Sequence, residues 1–154
     1  MLRDKSLIPL SVQHHNGLAL CVLTRRSMAA DASPGNLARL ARRIGERYEI
    51  ELANHFEIEE QVLFPLCGPK PLVTELIAEH RRLERLVAEV RDSPSAEKLE
   101  EFCALLTAHI RREENELFEE AQREVPRAEL DRAGVEIDRR AVRICLAPDP
   151  PERG

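Results

Sequence analysis

The sequence predicts an all-α fold, an up-down-up-down four-helix bundle with a short C-terminal extension. Leu, Ala, Glu and Arg, which are good helix formers, are abundant, whereas aromatic residues make up only 3% of the chain and Gly occurs six times. Apolar residues recur at helical spacing over long stretches, and turns containing proline divide these stretches into four. A chain of 154 residues is also long enough to bury one core as a single domain.

The first two helices are expected on either side of a turn at residues 31–36. Ser11 is the expected N-cap of the first helix, whose apolar positions continue to about Met28. The second helix is expected to begin with Asn36 as its N-cap and to end at Pro65, because proline cannot continue a helix.

Proline and serine residues also mark the bounds of the third and fourth helices. Pro71 suits the first position of a third helix that runs to Asp92. Ser93 and Pro94 open the fourth helix, which is expected to end before Pro126. The connections between these helices are short, which favours antiparallel neighbours.

The chain therefore divides into a bundle at residues 1–125 and an extension at residues 126–154. Within the extension, residues 128–143 are predicted to form one short helix. Residues 147–154, rich in proline, are predicted to form a frayed tail.

Charge and cysteine usage exclude several classes of function. The net charge is −5 and no long basic block occurs, so neither nucleic acid nor an anionic membrane surface is an expected partner. No apolar run approaches the ~18 residues of a membrane-spanning helix. The four cysteines are far apart, and no C-x-x-C pair or secretory leader is present, which favours reduced thiols and a cytoplasmic protein.

One internal repeat stands out from the helical pattern. Residues 55–64 (HFEIEEQVLF) and 109–118 (HIRREENELF) are identical at five of ten positions, so the second and fourth helices share the element H-x-x-x-E-E-x-x-L-F. The first and third helices each add histidine, and all five histidines of the chain lie on these four helices.

This distribution of histidine and glutamate predicts a metal site. His and Glu four residues apart project from one helix face, about 6 Å apart along the axis, so both can serve one metal cluster. Two such pairs, with one His from each remaining helix, suit iron, manganese or zinc, and two bridging Glu would make the site dinuclear. The candidate ligands are His14, His15, His55, Glu59, His80, His109 and Glu113.

A purely structural bundle with incidental histidines is the alternative, because a single H-x-x-x-E pair is usually an exposed ion pair. Against it, Glu59 and Glu113 lie on the buried stripes, where a metal would supply the missing positive charge. Other polar residues have alternative roles. Tyr48 is expected in core packing or as a pocket lid. Glu84 is expected to pair with Arg81 or Arg85 or to act as an extra ligand, and Glu60 and Glu114 are expected to face solvent.

The chain resembles the hemerythrin-like proteins with the HHE cation-binding domain. The resemblance rests on the two repeats, on SVQHHNGL at residues 11–18 and on EHRRLERL at residues 79–86, and it spans roughly residues 8–124. It implies a four-helix bundle around a non-haem centre of two iron ions, bridged by oxo or carboxylate groups. The ligands it implies are His55, Glu59, His80, His109 and Glu113, with the two Glu as bridges. Either His14 or His15 would match the first-helix ligand, and we favour His15 for the leucine three residues later.

Two departures argue against simple oxygen carriage. Oxygen-carrying hemerythrins have H-x-x-x-H in the third helix, where this chain has Glu84 four residues after His80. Their last helix ends in H-x-x-x-x-D, where this chain has Glu113 four residues after His109.

The predicted function is therefore that of a di-iron protein that binds or reduces a small diatomic or peroxide ligand, such as O2, NO or H2O2, in oxygen or nitrosative stress. Turnover as an enzyme would depend on a reductant that the sequence does not identify. The alternative is a non-enzymatic iron or oxygen sensor or store that signals to a partner through the segment after Pro126.

Overall fold

The protein is all-helical, as predicted, in the computed structural model, which describes residues 2–144. Within these residues there is no β-strand. Five helices follow a 3₁₀ turn at Lys5–Leu7: α1 Ile8–Ala30, α2 (34–67), α3 Pro71–Asp92, α4 (96–124) and α5 Arg127–Arg140. In this part of the chain, no helix has the length and apolarity needed to cross a lipid bilayer.

Two of the helices, α2 and α4, contain wider π-helical turns that the sequence pattern did not predict. In α2, the α-helical segments Pro34–Arg47, Ala53–Ile58 and Phe64–Cys67 are joined by π-helical segments Tyr48–Leu52 and Glu59–Leu63. In α4, Ala96–Arg112 and Phe118–Glu124 are joined by the π-helical segment Glu113–Leu117. Such turns insert one residue into a helix and are frequent at functional sites.

Three helix starts differ from the expected ones. α1 begins at Ile8, so Ser11 lies inside the helix and does not cap it. The N-cap of α2 is Ser33, whose hydroxyl accepts a hydrogen bond from the Asn36 N–H at 3.4 Å, so Asn36 is also helical. Ser95 caps α4 in the same way, through the N–H of the residue three positions later.

The helix ends agree more closely with the prediction. α2 passes Pro65 and ends at Cys67, where Gly68 has a φ of +79°, a left-handed conformation that glycine adopts without strain. The bounds predicted for α3 are confirmed, and α4 ends just before Pro126.

Two apolar clusters fill the space between the four long helices. The first contains residues from the C-terminal parts of α1 and α3 and the N-terminal parts of α2 and α4, including Ile44 and Phe102. The second contains residues from the opposite ends of these helices and from α5, including Leu76 and Phe118. On each long helix, buried His or Glu lies between the residues of the two clusters, so a polar layer separates them.

The extension contributes a packed helix, observed at Arg127–Arg140 where residues 128–143 were predicted. α5 packs against the turn at Lys5–Leu7 and against the π-helical segment Glu59–Leu63. Gly134 permits the close approach, because a Cβ atom there would lie 2.9 Å from the Cα of Ser6. The predicted frayed tail at residues 147–154 lies outside the described residues.

Candidate metal centre

Six side chains in the polar layer form one cluster. They are at most 3% exposed and come from all four long helices: His14 on α1, His55 and Glu59 on α2, His80 on α3, and His109 and Glu113 on α4. Their ligand atoms form two groups, in each of which the atoms lie within 4.8 Å of one another. Both groups include Glu59 and Glu113, which join His14 and His55 in the first subsite and His80 and His109 in the second.

Each glutamate of the cluster contacts two histidines. The Oε1 atom of Glu59 lies 3.1 Å from His55 Nε2 and 3.2 Å from His80 Nε2. The Oε1 atom of Glu113 lies 2.6 Å from the Nε2 atom of His109 and 3.4 Å from that of His14. The two carboxyl groups therefore occupy the middle of the layer, with the Nε2 atoms of four imidazoles directed at them.

The repeated element explains why both halves of the chain reach this layer in the same way. In α2 and in α4, the glutamate of the H-x-x-x-E pair is the first residue of a π-helical segment. The phenylalanine that ends the repeat packs on a histidine of a neighbouring helix: Phe64 stacks on His80 with ring centroids 5.7 Å apart, and Phe118 on His14 at 5.2 Å. The Leu-Phe part of the repeat thus holds imidazoles in place.

The outward-facing Nδ1 atoms of the four histidines meet acceptors outside the cluster. His55 Nδ1 lies 2.9 Å from the amide oxygen of Gln13, and His109 Nδ1 lies 3.2 Å from a carboxylate oxygen of Glu79. His80 Nδ1 lies 2.9 Å from Glu60, and His14 Nδ1 lies 3.5 Å from Glu114. Acceptors at Nδ1 favour the tautomer whose Nε2 lone pair is free for a metal.

These four outer residues were not predicted to take part in the site. Glu60 and Glu114, the second members of the Glu-Glu pairs, were expected to face solvent, yet each reaches the histidine of a neighbouring helix. Gln13 and Glu79 were not predicted, although the sequence contains a signal for them. All four outer residues are direct chain neighbours of a cluster residue: Gln13 and Glu79 each precede a cluster histidine, and Glu60 and Glu114 each follow a cluster glutamate.

The structure brings His14 into the cluster and leaves His15 exposed, which corrects our preference for His15. The reason lies in the buried face of α1, which contains Gln13 and Asn16 as well as Gly17. The preference for His15 rested on Leu18, three residues later, but Leu18 is only partly buried and does not determine which histidine faces the layer. Neighbouring residues of a helix point about 100° apart, so only one of the two histidines can face the layer.

Glu59 and the histidines that face it are driven toward their uncharged forms. Burial, and then the negative charge of Glu113, raise the pKa of the Glu59 carboxyl well above its usual value. Burial lowers the pKa of His80 to about 3 and holds the pKa of His55 well below its ordinary value.

Glu113 and its histidines behave in the opposite way. Burial would raise the pKa of Glu113, but the positive charge of His109 and the close polar groups of His109, Glu59 and His14 outweigh burial and hold this pKa well below its usual value. Burial would also lower the pKa of both facing histidines. The Glu113 carboxylate outweighs it, raising the pKa of His109 to about 9 and raising that of His14. Charge in the layer therefore collects around Glu113.

The cluster fits a bound cation. Several of the buried atoms that face the middle of the cluster have no hydrogen-bond partner within the described part of the chain: Nε2 of His14, His55 and His109, Oε2 of Glu59, and both carboxylate oxygens of Glu113. Buried polar atoms without partners are costly, and a metal ion would satisfy these together. Imidazole nitrogen and carboxylate oxygen are suited to iron, manganese and zinc.

The other residues considered from the sequence lie outside the cluster. Glu84 pairs with Arg81 on the surface of α3. Tyr48 packs against Phe56, with ring centroids 6.4 Å apart, which is the expected core packing. Cys21 is buried in the first apolar cluster with Cys103, as a small hydrophobic residue would be.

A narrow apolar gap adjoins three of the cluster histidines. Its walls are formed by Leu52, Phe56, Leu106 and Ile110 together with Gln13, His14, His55 and His109. Gly17 borders it, since a Cβ atom at this position would lie 3.1 Å from the Cδ1 atom of Ile110. One side of the layer is thus bordered by apolar surroundings.

Comparison with known proteins gives one match. The hemerythrin HHE cation-binding domain matches residues 9–121, a range that includes all six cluster residues and most of the chain. No curated protein and no solved structure matches the chain. A family match of this length, on helices that bring buried histidines and glutamates into one layer, leads to one conclusion: the chain belongs to the hemerythrin family of HHE cation-binding domains.

Proposed function

We propose that this protein is a non-haem di-iron protein that binds or reduces a small ligand such as O2, NO or H2O2. One observation carries the proposal: two groups of buried ligand atoms share Glu59 and Glu113. In this proposal the first four helices form an up-down-up-down bundle around the cluster. The alternating ends from which they contribute to each apolar cluster support that arrangement.

The residues of each subsite would hold one ion. His14 and His55 would ligate the first ion and His80 and His109 the second, with Glu59 and Glu113 contributing to both. Iron held by these imidazoles and carboxylates would supply the redox chemistry that non-haem proteins use on O2 and related ligands. Family membership favours iron over manganese or zinc, which the same ligand types permit.

The surrounding residues would prepare the site for such a ligand. The outer acceptors, Gln13, Glu60, Glu79 and Glu114, direct the imidazole Nε2 atoms inward. Burial of the cluster excludes bulk water, and the narrow gap beside it has apolar walls, surroundings that suit an uncharged diatomic molecule. Repeated reduction of a ligand would require an electron donor from outside the chain.

The test is the metal content of the full chain, reloaded anaerobically with ferrous iron and measured by mass spectrometry. We expect close to two ions per chain, and loss of both in Glu113→Ala, because this carboxylate belongs to both groups. Glu116→Ala, an exposed position on the same π-helical segment, is the control and should keep both ions. Absence of iron from the wild-type chain, or unchanged iron in Glu113→Ala, would refute the proposal.

Ligand binding is tested on the same iron-loaded chain. Optical spectra recorded on mixing with O2, NO or H2O2 should change in the wild type and in Glu116→Ala, but not in Glu113→Ala. Iron that is bound normally but whose spectrum responds to none of the three ligands would exclude the proposed small-ligand chemistry and leave storage or sensing.

A sensor is the second candidate, because α5 packs directly on the π-helical segment that begins with Glu59. A sensor requires that iron change the docking of α5. Amide hydrogen exchange in Arg127–Arg140 should then differ between the chelated and iron-loaded chain, and equal exchange in the two states would count against sensing.

A further inference from the structure

The last residue of α5 and the segment that follows it are hydrogen-bonded to the candidate metal centre through two side-chain amides. Gln13 Nε2 donates to the backbone oxygen of Val142 at 3.2 Å and to Asn54 Oδ1 at 3.0 Å. Asn54 Nδ2 donates to the backbone oxygen of Arg140 at 3.0 Å, and Asn54 Oδ1 accepts from the Val142 N–H at 3.0 Å. The other end of the Gln13 amide meets His55 Nδ1 at 2.9 Å.

The backbone of residues 140–142 determines which way both amides point. The Arg140 carbonyl can only accept, so it requires the NH2 group of Asn54, and the Val142 N–H requires the oxygen. With the Asn54 oxygen and the Val142 carbonyl both facing Gln13, the Gln13 amide must present its nitrogen to them. Its oxygen is then left to face His55, and every polar group in this chain of contacts is satisfied.

This orientation determines the tautomer of His55. An amide oxygen only accepts, so Nδ1 of His55 must carry the hydrogen and Nε2 must keep its lone pair. That Nε2 atom is the one directed at Glu59, 3.1 Å away. Were the Gln13 amide free to turn, its NH2 group would favour the other tautomer, whose Nε2 cannot bind a metal.

The other three cluster histidines do not need such help. The nearest acceptors of His14, His80 and His109 at Nδ1 are carboxylates, of Glu114, Glu60 and Glu79. A carboxylate accepts in either orientation, so it selects the metal-binding tautomer by itself. Only His55 depends on an amide, and only this amide is held by the segment after α5 within the described residues.

We propose that residues 140–142 act as a positioning element of the first subsite, holding His55 in its metal-binding tautomer through Asn54 and Gln13. The proposal rests on the proposed function, since it assumes two metal subsites. It makes the two subsites inequivalent: the second is completed within the four long helices, whereas the first is complete only with the extension docked.

The first test is the titration of the chelated full chain with ferrous iron under anaerobic conditions, against a competing chelator. Asn54→Ala is expected to weaken one of the two binding steps about 10- to 100-fold, the usual effect of losing an outer partner of a ligating histidine. The other step should stay within about twofold. Asn115→Ala, an exposed amide on the π-helical segment of α4, is the matched control and should change neither step.

A second pair of variants separates positioning from loss of structure. A chain ending at Arg139, which lacks both the Arg140 oxygen and Val142, should show the same selective weakening, whereas a chain ending at Ile144 should bind as the full chain does. Gln13→Glu should restore the weakened step in the chain that ends at Arg139, because a carboxylate needs no segment to orient it. In the full chain the same change should weaken binding, because the carboxylate would face the Val142 carbonyl.

The tautomer itself gives a readout independent of metal. Ring ¹⁵N spectra of the metal-free full chain should show His55 protonated at Nδ1, with the Nε2 tautomer growing in Asn54→Ala. Unchanged tautomer populations, unchanged affinities, or equal weakening of both binding steps would overturn the inference. A wild-type chain that takes up no iron would instead overturn the proposed function, so the two failures are distinguishable.

Discussion

The two halves of the chain carry the same repeat, but only one of the two repeated glutamates is held in its charged form at the cluster. On the first half, Glu59 has a raised pKa and faces histidines whose pKa values are lowered. On the second half, Glu113 has a lowered pKa and faces histidines whose pKa values are raised. The repeat therefore determines where the groups lie but not which of them carries charge.

The asymmetry follows from two acids buried side by side. Two buried carboxyls in contact cannot both ionise cheaply, so one keeps its proton and the other becomes the anion. Glu113 is the anion because His109 approaches it to 2.6 Å and has a second carboxylate, Glu79, on its other side. On the first half, the corresponding acceptor for His55 is the neutral amide of Gln13.

The largest effect expected from this comparison is the loss of one bound metal ion from either half. His55→Ala should leave only the ion of the second subsite, and His109→Ala only that of the first, because each histidine belongs to one group. Iron per chain should fall from about two to about one in each variant and to near zero in the double variant. Loss of both ions in one single variant would show that the subsites do not bind independently.

A smaller effect should separate the two glutamates in the metal-free protein. Glu113→Gln should lower the free energy of unfolding by about 3 kcal/mol, because it leaves the partners of a buried ion pair uncompensated. Glu59→Gln should change it by only about 1 kcal/mol, since an amide resembles the protonated carboxyl already present.

Urea unfolding of the chelated variants at pH 7 measures this difference. Glu116→Gln, on the exposed side of α4, serves as the control for the loss of a surface charge. Equal destabilisation by the two buried substitutions would show that the halves share charge evenly, against the assignment of the anion to Glu113.

The free energy of unfolding of the metal-free protein should fall at both acid and alkaline pH, for different reasons. His80, with a folded pKa of about 3, binds a proton more readily when unfolded, so stability falls as pH drops from about 6.5 toward 3. His109, with a folded pKa of about 9, contributes stability that is complete below about pH 6.5 and is lost as pH rises through 9. The raised pKa of Glu59 adds to the loss as pH rises.

Unfolding free energies measured across this pH range on the chelated chain test both losses of stability. His80→Gln should reduce the loss of stability at acid pH, and His109→Gln the loss at alkaline pH. If the loss at alkaline pH is unchanged in His109→Gln, the proton belongs to another group.

Much of the site could be predicted from the sequence because its residues recur at a strict spacing. His55 with Glu59, and His109 with Glu113, share a helix face whatever the details of packing, and the structure brings both pairs together with His80. The π-helical turns could not be predicted in the same way. Two of them begin at the buried residues Glu59 and Glu113, and an apolar pattern carries no signal for the insertion of one residue.

α1 shows why the rest of the site could not be predicted from the sequence. Its buried residues include Gln13, His14, Asn16 and Thr24 beside apolar ones, and Val12 and Val22 are exposed, so hydrophobicity does not distinguish the two faces. A helix that supplies polar groups to a buried site does not follow the usual apolar stripe. The outer acceptor Gln13 was missed for the same reason, since its partners come from distant parts of the chain.

The smallest expected effect comes from the residue next to the cluster. His15→Ala should change the free energy of unfolding by no more than about 0.5 kcal/mol, as is usual for an exposed position, and should leave two ions bound. His14→Ala, one residue away, should lose the ion of the first subsite, because His14 Nε2 faces Glu113 from within the layer. Metal content measured on this pair tests the orientation of α1 alone. If His15→Ala loses iron and His14→Ala keeps it, α1 is rotated by about 100° from the orientation described, and Gln13 then cannot reach His55.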